Sequence, residues 1–204
     1  MRTGRRWLAA LGISLALVAC GGARARGDLV PPADAPAWDG RYDLIFDDHY
    51  TAVPVQLSGR APGDVVDQRR FAQRLGYADL VILVSVDQAW SRGLYAGTAR
   101  QRLDVTLGRV LRGELPRETR REQSLELRGG EELPAYLTGR VMLLFLRWAP
   151  GEEPGYHHHV MPADDEVIAL IEAMVRHARA EGKLERPKQR GRRRGAARSA
   201  PESP

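Results

Sequence analysis

Runs and alternations of apolar residues predict a sheet-rich domain in the middle of the chain. Two runs, DLVILVSV and RVMLLFLRW, are almost unbroken in large apolar side chains, as is typical of buried strands. A third segment alternates apolar and polar positions until Gly108 interrupts it, which predicts a β-bulge at that glycine. Together with two shorter segments, these predict five strands: 79–89, 101–111, 124–128, 140–148 and 156–161.

The strongest helical pattern lies near the C-terminus. Its apolar residues recur at i, i+3, i+4 and i+7, which predicts an amphipathic helix packed on a sheet. These residues are Val167, Ile168, Leu170, Ile171, Met174, Val175 and Ala178. Asp164 to Glu166 stand at the favourable end of the helix dipole, and Gly182 predicts the stop.

Two weaker elements are predicted before the first long strand. Residues 64–76 form a short helix in which Asp64 caps the start and Gly76 ends the last turn. Residues 42–57 contain Pro54 within an apolar stretch, which favours an irregular or edge strand.

The pattern therefore predicts a mainly β (α+β) fold. It would be a small antiparallel barrel or curled sheet of about five strands, with the C-terminal amphipathic helix packed on it. The stretches YADLVILVSV, LDVTLGRVLRGELP and GRVMLLFLRW resemble the OB-like barrel of secreted TIMP/netrin-like domains. This resemblance is one of strand pattern, so it implies a fold and transfers no active site.

The only cysteine, Cys20, follows a signal-like N-terminus. Three arginines precede an uncharged apolar stretch from Trp7 to Val18, which is too short for a membrane span but suits a secretion signal. Leu17-Val18-Ala19-Cys20 resembles the lipobox of bacterial lipoprotein precursors. The resemblance implies cleavage between Ala19 and Cys20, a diacylglycerol thioether on Cys20, and a fatty acyl group such as palmitate on its new amino group. Gly21, where inner-membrane lipoproteins tend to carry aspartate, implies the outer membrane of a Gram-negative bacterium.

Two alternatives for this segment stay open. A plain signal peptide with an incidental cysteine would give a secreted protein without an anchor. The Arg5-Arg6 pair also resembles a twin-arginine export signal, while the residues after it fit ordinary secretion better. A single cysteine excludes an intrachain disulfide in either case.

Composition divides the chain into four parts. We predict a signal peptide at 1–19, a lipidated N-terminus and flexible tether at 20–41, one β-rich domain at 42–183 and a basic disordered tail at 184–204. Of the 31 Lys and Arg residues, three lie in the signal and seven in 186–204, which leaves 21 against 25 acidic residues in 21–185. The body is thus mildly acidic. An exported tail would meet anionic lipids or acidic envelope polymers, or would simply be solvated, whereas a nucleic-acid partner is not expected.

One local cluster has metal-binding chemistry. On a strand, His157 and His159 would share one face and His158 the other, so the first two would be candidate ligands for zinc or copper. His49, flanked by Asp47 and Asp48, is a candidate third ligand, although no sequence feature joins the two regions. The alternative is that these histidines are exposed on an edge strand or loop.

Enzyme motifs are not found. The chain has no G-x-S-x-G, P-loop or dinucleotide-binding glycine pattern. We therefore predict a non-catalytic, lipid-anchored envelope protein without a cofactor, which binds an unidentified protein partner or has a structural role. A metal-binding lipoprotein is the alternative, and an enzyme of another type is the third hypothesis.

Overall fold

A computed structural model describes residues 28–92, 100–129 and 133–184. Six strands and two helices follow one another along the chain. They are β1 His49–Tyr50, α1 Pro62–Tyr77, β2 Leu80–Arg92, β3 Arg100–Arg112, β4 Glu122–Arg128, β5 Val141–Trp148, β6 Tyr156–Pro162 and α2 Asp165–Ala180. Short 3-10 turns lie at Gly40–Tyr42 and Ala135–Leu137.

The six strands form one curled sheet in the order β1-β6-β5-β2-β3-β4. All neighbours are antiparallel except β1, which runs parallel to β6 and pairs His49 with His159. The predicted mainly β fold with a C-terminal helix on the sheet is confirmed. The irregular edge strand expected within 42–57 is the two-residue β1.

The curled sheet separates two cores. The first fills the concave interior and includes Ile82, Leu103, Leu125 and Leu144. The second lies between the convex face and the helices, where Ile171 of α2 and Phe71 of α1 pack with Phe145 of β5. Alternate residues of β5 therefore serve different cores, and this is why its sequence is a continuous apolar run instead of an alternating one.

The bulge predicted at Gly108 is present. The pairing of β2 with β3 shifts register between Ile82, which faces Val110, and Val84, which faces Leu107. A Cβ atom on Gly108 would lie 2.9 Å from the carbonyl oxygen of Leu83. Glycine at this position lets the two backbones approach closely while the strand bends.

The helix ends differ in how well they match the expectation. In α2, the side chain of Asp164 accepts the Glu166 amide at 2.8 Å, and Gly182 follows the helix with φ of +72°, as predicted. In α1, the N-cap position is Ala61, and Asp64 accepts the Ala61 amide from inside the first turn. Gly76 lies within α1, so the predicted stop at that residue is wrong.

The folded part extends further toward the N-terminus than the expected boundary at 42. Leu29 is buried in the interior core, and Trp38 packs on the ring of His157 with centroids 4.3 Å apart. Residues from Leu29 onward are therefore part of the domain, although their Pro, Ala and Asp content is typical of a linker. A few side chains, chiefly Leu29 and Trp38 with Ala35, hold a segment whose composition alone gives no sign of packing.

Other predicted features lie outside the described residues. These are the signal peptide, Ala19, Cys20 and the tail from 185 onward. Neither described helix is long and apolar enough to cross a membrane.

Gly113 at the end of β3 should tolerate no side chain. Its φ is +81°, and an added Cβ would collide with the Asp79 carbonyl oxygen and the Leu80 side chain. We expect Gly113→Ala to lower the free energy of unfolding by about 2 kcal/mol. The control is Gly63→Ala in α1, which has open space and should be neutral or stabilising by about 0.5–1 kcal/mol. Urea denaturation of both variants checks this, and equal stabilities would contradict it.

Candidate functional site

The three histidines of β6 lie in the interior of the protein. Exposed fractions of His157, His158 and His159 are 7%, 1% and 2%, so the expectation of exposed histidines on an edge strand is wrong. β6 is an internal strand between β1 and β5, and the segments before and after β1 cover its outer face: Trp38 packs on His157, and Thr51 contacts His159. The predicted alternation is present: Tyr156 and Val160 belong to the interior core and Met161 to the helix-side core. His158 therefore points to the interior, and His157 and His159 to the convex face.

His157 is held between two carboxylates. Its Nδ1 lies 2.7 Å from Oδ2 of Asp48, and its Nε2 lies 2.8 Å from Oε2 of Glu152. Only the doubly protonated ring can donate to both. Burial lowers the pKa of His157, but the hydrogen bonds from its ring to Asp48 and Glu152 outweigh it, and the net shift is upward. The two contacts therefore favour the imidazolium form, whose single positive charge lies between two carboxylates.

Asp48 joins three segments of the sheet. Its side chain accepts the His158 amide at 3.0 Å as well as the His157 ring, and Arg128 Nε lies 3.3 Å away. Its amide donates to the His158 carbonyl at 2.9 Å, and its carbonyl accepts the Arg128 amide at 2.7 Å. Burial alone would raise the pKa of Asp48, but its contacts with His158 and His157 lower the pKa by more. The net shift is downward, so the carboxyl is ionised. Its φ of +51° is one that aspartate adopts more readily than most residues.

His159 has the opposite charge state. Its Nδ1 donates to Oδ1 of Asp47 at 2.7 Å, and its Nε2 accepts from the Thr51 hydroxyl at 2.8 Å. Burial lowers the pKa of His159 to about 4, and the nearby Arg74 charge lowers it as well, against the opposing effect of Asp47. The ring is therefore neutral at pH 7. Arg74, itself buried, donates to the Ile45 carbonyl at 2.9 Å and faces Asp47.

The ring of His158 is neither held between two carboxylates, as that of His157 is, nor hydrogen-bonded through both nitrogens, as that of His159 is. Its Nδ1 lies 3.1 Å from Oδ1 of Asp48 but is not aligned for a hydrogen bond. Neither ring nitrogen has a hydrogen-bond partner among the described residues. A buried polar group without a partner is costly, and such groups mark positions where a ligand or water completes the structure.

His158 lines an open cleft of about 1190 Å³, which we call the seam cleft. It lies where the edge of β4 faces the beginning of β6, and the loop 150–155 and the segment 28–33 complete its walls. The wall is partly apolar, with Leu29, Pro31 and Tyr156. The ionisable groups that line it are Asp28, Asp48, Glu126, Arg128, Glu152, Glu153, Tyr156 and His158.

The predicted metal ligands are close in space but do not converge. His157 and His159 bond to different carboxylates, and the described residues contain no group of three or more His, Cys, Asp or Glu side chains arranged to hold a metal ion. His49 is brought beside His159 by the pairing of β1 with β6, yet its ring stacks on Tyr50 and its Nδ1 contacts the Tyr50 main chain. Metal binding by His157 and His159 stays a prediction.

The sequence analysis missed the central role of Asp48, the contribution of Glu152 and the buried Arg74. In the sequence, Asp47 and Asp48 stand out only as neighbours of His49. The one signal of their contact with β6 is that two adjacent acids and three adjacent histidines have complementary charges. Their meeting depends on β1, which is too short to show a periodic pattern.

Compared with known proteins, the chain matches no protein-family model, no curated protein and no solved structure.

Proposed function

We propose that this protein is a lipid-anchored component of the bacterial cell envelope that binds a partner, without catalysis, at the seam cleft. The observation that carries the binding role is His158, a buried imidazole with no hydrogen-bond partner among the described residues, in the wall of a cleft of about 1190 Å³. An unsatisfied buried group costs free energy, and a ligand that enters the cleft and bonds to it would remove that cost.

The proposal of an anchor depends on the lipobox-like Leu17-Val18-Ala19-Cys20. Three acyl chains would hold the protein at a membrane permanently, since each buried CH₂ contributes about 0.8 kcal/mol. Gly21 after the cysteine favours the outer membrane. The basic residues of 186–204 would add electrostatic attraction to an anionic envelope surface.

Membrane fractionation tests the anchor. The full-length protein should sediment with membranes, and the mature N-terminus should carry diacylglycerol and acyl masses on Cys20. Cys20→Ser should release the protein to the soluble fraction. An unmodified thiol in the sedimented parent protein would refute the anchor.

Site-specific photo-crosslinking in intact cells tests the binding role. A photoreactive residue in place of Ala33, an exposed and uncharged residue in the wall of the cleft, should give a discrete crosslinked species. The same residue in place of Met174, which is exposed on α2, is the control and should give none. Equal products from both positions would remove the case for the cleft.

Elemental analysis of the purified, untagged protein separates binding of a partner from metal binding. Stoichiometric zinc or copper that is lost in His157→Ala/His159→Ala would favour the metal-binding alternative. It would also require those rings to leave the carboxylates that hold them here.

A further inference from the structure

The curled sheet closes through very few contacts. β1 and β4 are its two edge strands, and the Arg128 amide and the Asp48 carbonyl make the main-chain hydrogen bond that joins their ends, at 2.7 Å. Because β1 has only two residues, it covers little of the β6 edge. Before this junction, the edge of β4 and the beginning of β6 face each other across the seam cleft.

Within the described ranges, main-chain groups of Ser124, Glu126 and Tyr156 beside the cleft have no strand partner. The Arg128 amide points away from β3 toward Asp48, and main-chain direction alternates along a strand, so Glu126 and Ser124 present their N–H and C=O groups to the same side. On β6, the His158 carbonyl faces Asp48, so Tyr156 has the same direction. No main-chain hydrogen bond joins segment 28–33 to either edge in the described part of the chain.

The walls of the cleft carry an excess of negative charge. Asp48 and Glu152 are compensated by His157, and Asp48 also by Arg128. The other three carboxylates of the lining, Asp28, Glu126 and Glu153, have no ion-pair partner among the described residues. Burial and the charges of Asp48, Asp28 and Glu126 raise the pKa of Tyr156 to about 12, as expected in a negative environment. A ligand that fits this cleft is therefore cationic.

We propose that the seam cleft accepts an extended, basic segment of a partner polypeptide, which adds a strand along the free edge of β4. The main chain of the segment would pair with Ser124 and Glu126, as peptides do when they extend a sheet at its edge. Its lysine or arginine side chains would lie beside Glu126 and Asp28, and a polar group of the segment would satisfy His158. This inference rests on the proposed binding role of the cleft and specifies the chemistry of the partner.

Fluorescence anisotropy with a defined probe tests the charge part. The probe is a labelled acetyl-Lys-Val-Lys-Val-Lys-Val-amide, titrated with the purified full-length protein. We expect Glu126→Lys to weaken binding at least tenfold. The matched control is Asp67→Lys on α1, which makes the same charge change at an exposed position outside the cleft and should bind within twofold of the parent. Equal loss in both variants would show only general attraction between opposite charges.

A second pair of probes tests the strand pairing. The same peptide with N-methylated valines keeps its charge but loses the amides of one edge, and it should bind at least tenfold more weakly. The Glu-Val analogue should not bind. Retained affinity of the methylated peptide, or no measurable binding of the parent peptide at 1 mM, would overturn the inference.

These outcomes are separate from a failure of the proposed function. If crosslinks form at position 33 in cells while the peptide does not bind, the cleft is a binding site for a ligand of different chemistry. If both experiments fail, the binding role itself is wrong.

Discussion

Replacement of Asp48 by asparagine is expected to lower the free energy of unfolding by at least about 3 kcal/mol. Removal of one partner from a buried ion pair leaves the other charge uncompensated, and this typically costs 3–5 kcal/mol. Here the change leaves the imidazolium of His157, only 7% exposed, with Glu152 as its one remaining carboxylate contact. Asparagine keeps the size of the side chain and tolerates the φ of +51°, so backbone strain does not contribute to the loss. Urea denaturation at pH 7 measures it, and the thermal midpoint should fall by about 10 °C.

Two further variants show whether this loss comes from the buried network. Asp39→Asn removes a carboxylate from an exposed pair with Arg41 and should cost no more than about 1 kcal/mol. His157→Gln combined with Asp48→Asn should cost clearly less than the sum of the single changes, because both remove the same interaction. Additive losses, or a stability of Asp48→Asn within 1 kcal/mol of the parent, would show that Asp48 is not the central contact we describe.

A second large effect should appear on acidification, through His159. Its ring is neutral in the folded state because burial lowers its pKa to about 4, whereas the unfolded chain binds the proton near 6.5. The unfolded state therefore gains protons first as the pH falls. Stability should decrease between about pH 6.5 and 4, by a total on the order of 3 kcal/mol, and this contribution should change no further below that range.

The other groups around His159 leave this pH window clear. Asp47 faces it from the segment before β1, Thr51 from the segment after β1, and Arg74 from α1. The pKa of Asp47 is lowered: burial raises it, but the His159 contact and the Arg74 charge outweigh burial. The stability that ionised Asp47 contributes is therefore present above about pH 3.8 and is lost only as the pH falls below that value. The pKa of His157 is raised in the folded state. The stability that its protonated ring contributes is therefore complete below pH 6.5 and is lost as the pH rises through the folded-state pKa.

Chemical denaturation at a series of pH values checks the role of His159. The parent protein should be most stable near pH 6.5, with a decline on the acidic side. His159→Gln, which does not titrate, should show a flat profile from pH 6.5 to 4, whatever its absolute stability. If this variant declines as steeply as the parent, another group binds the proton.

The sequence was sufficient for the strands that form the two cores and for α2. A long apolar run such as the one in β5 predicts a buried strand directly, because a strand buried on both faces has few polar positions. For the β6 histidines, residue type alone favours either metal ligands or exposed side chains, and it does not predict that they are buried against carboxylates. Their burial depends on carboxylates more than a hundred positions earlier in the chain, brought there by a strand of two residues. No local pattern encodes such a contact.

The N-terminal boundary was missed for a related reason. Residues 28–38 have the composition of a linker, and their packing is due to Leu29 and Trp38. Composition is an average, so it does not detect one or two anchoring side chains in an otherwise polar segment.

The position of Leu29 has a mechanical consequence. It is the first buried residue of the described chain, and its segment forms one wall of the cleft beside the weakest closure of the sheet. A pulling force applied upstream of Asp28 reaches this residue before any strand. Extraction of that one side chain would widen the cleft while β2, β3 and β5 keep their hydrogen bonds. Tension applied on the N-terminal side of the domain would thus act on the cleft before it acts on the main strands of the sheet.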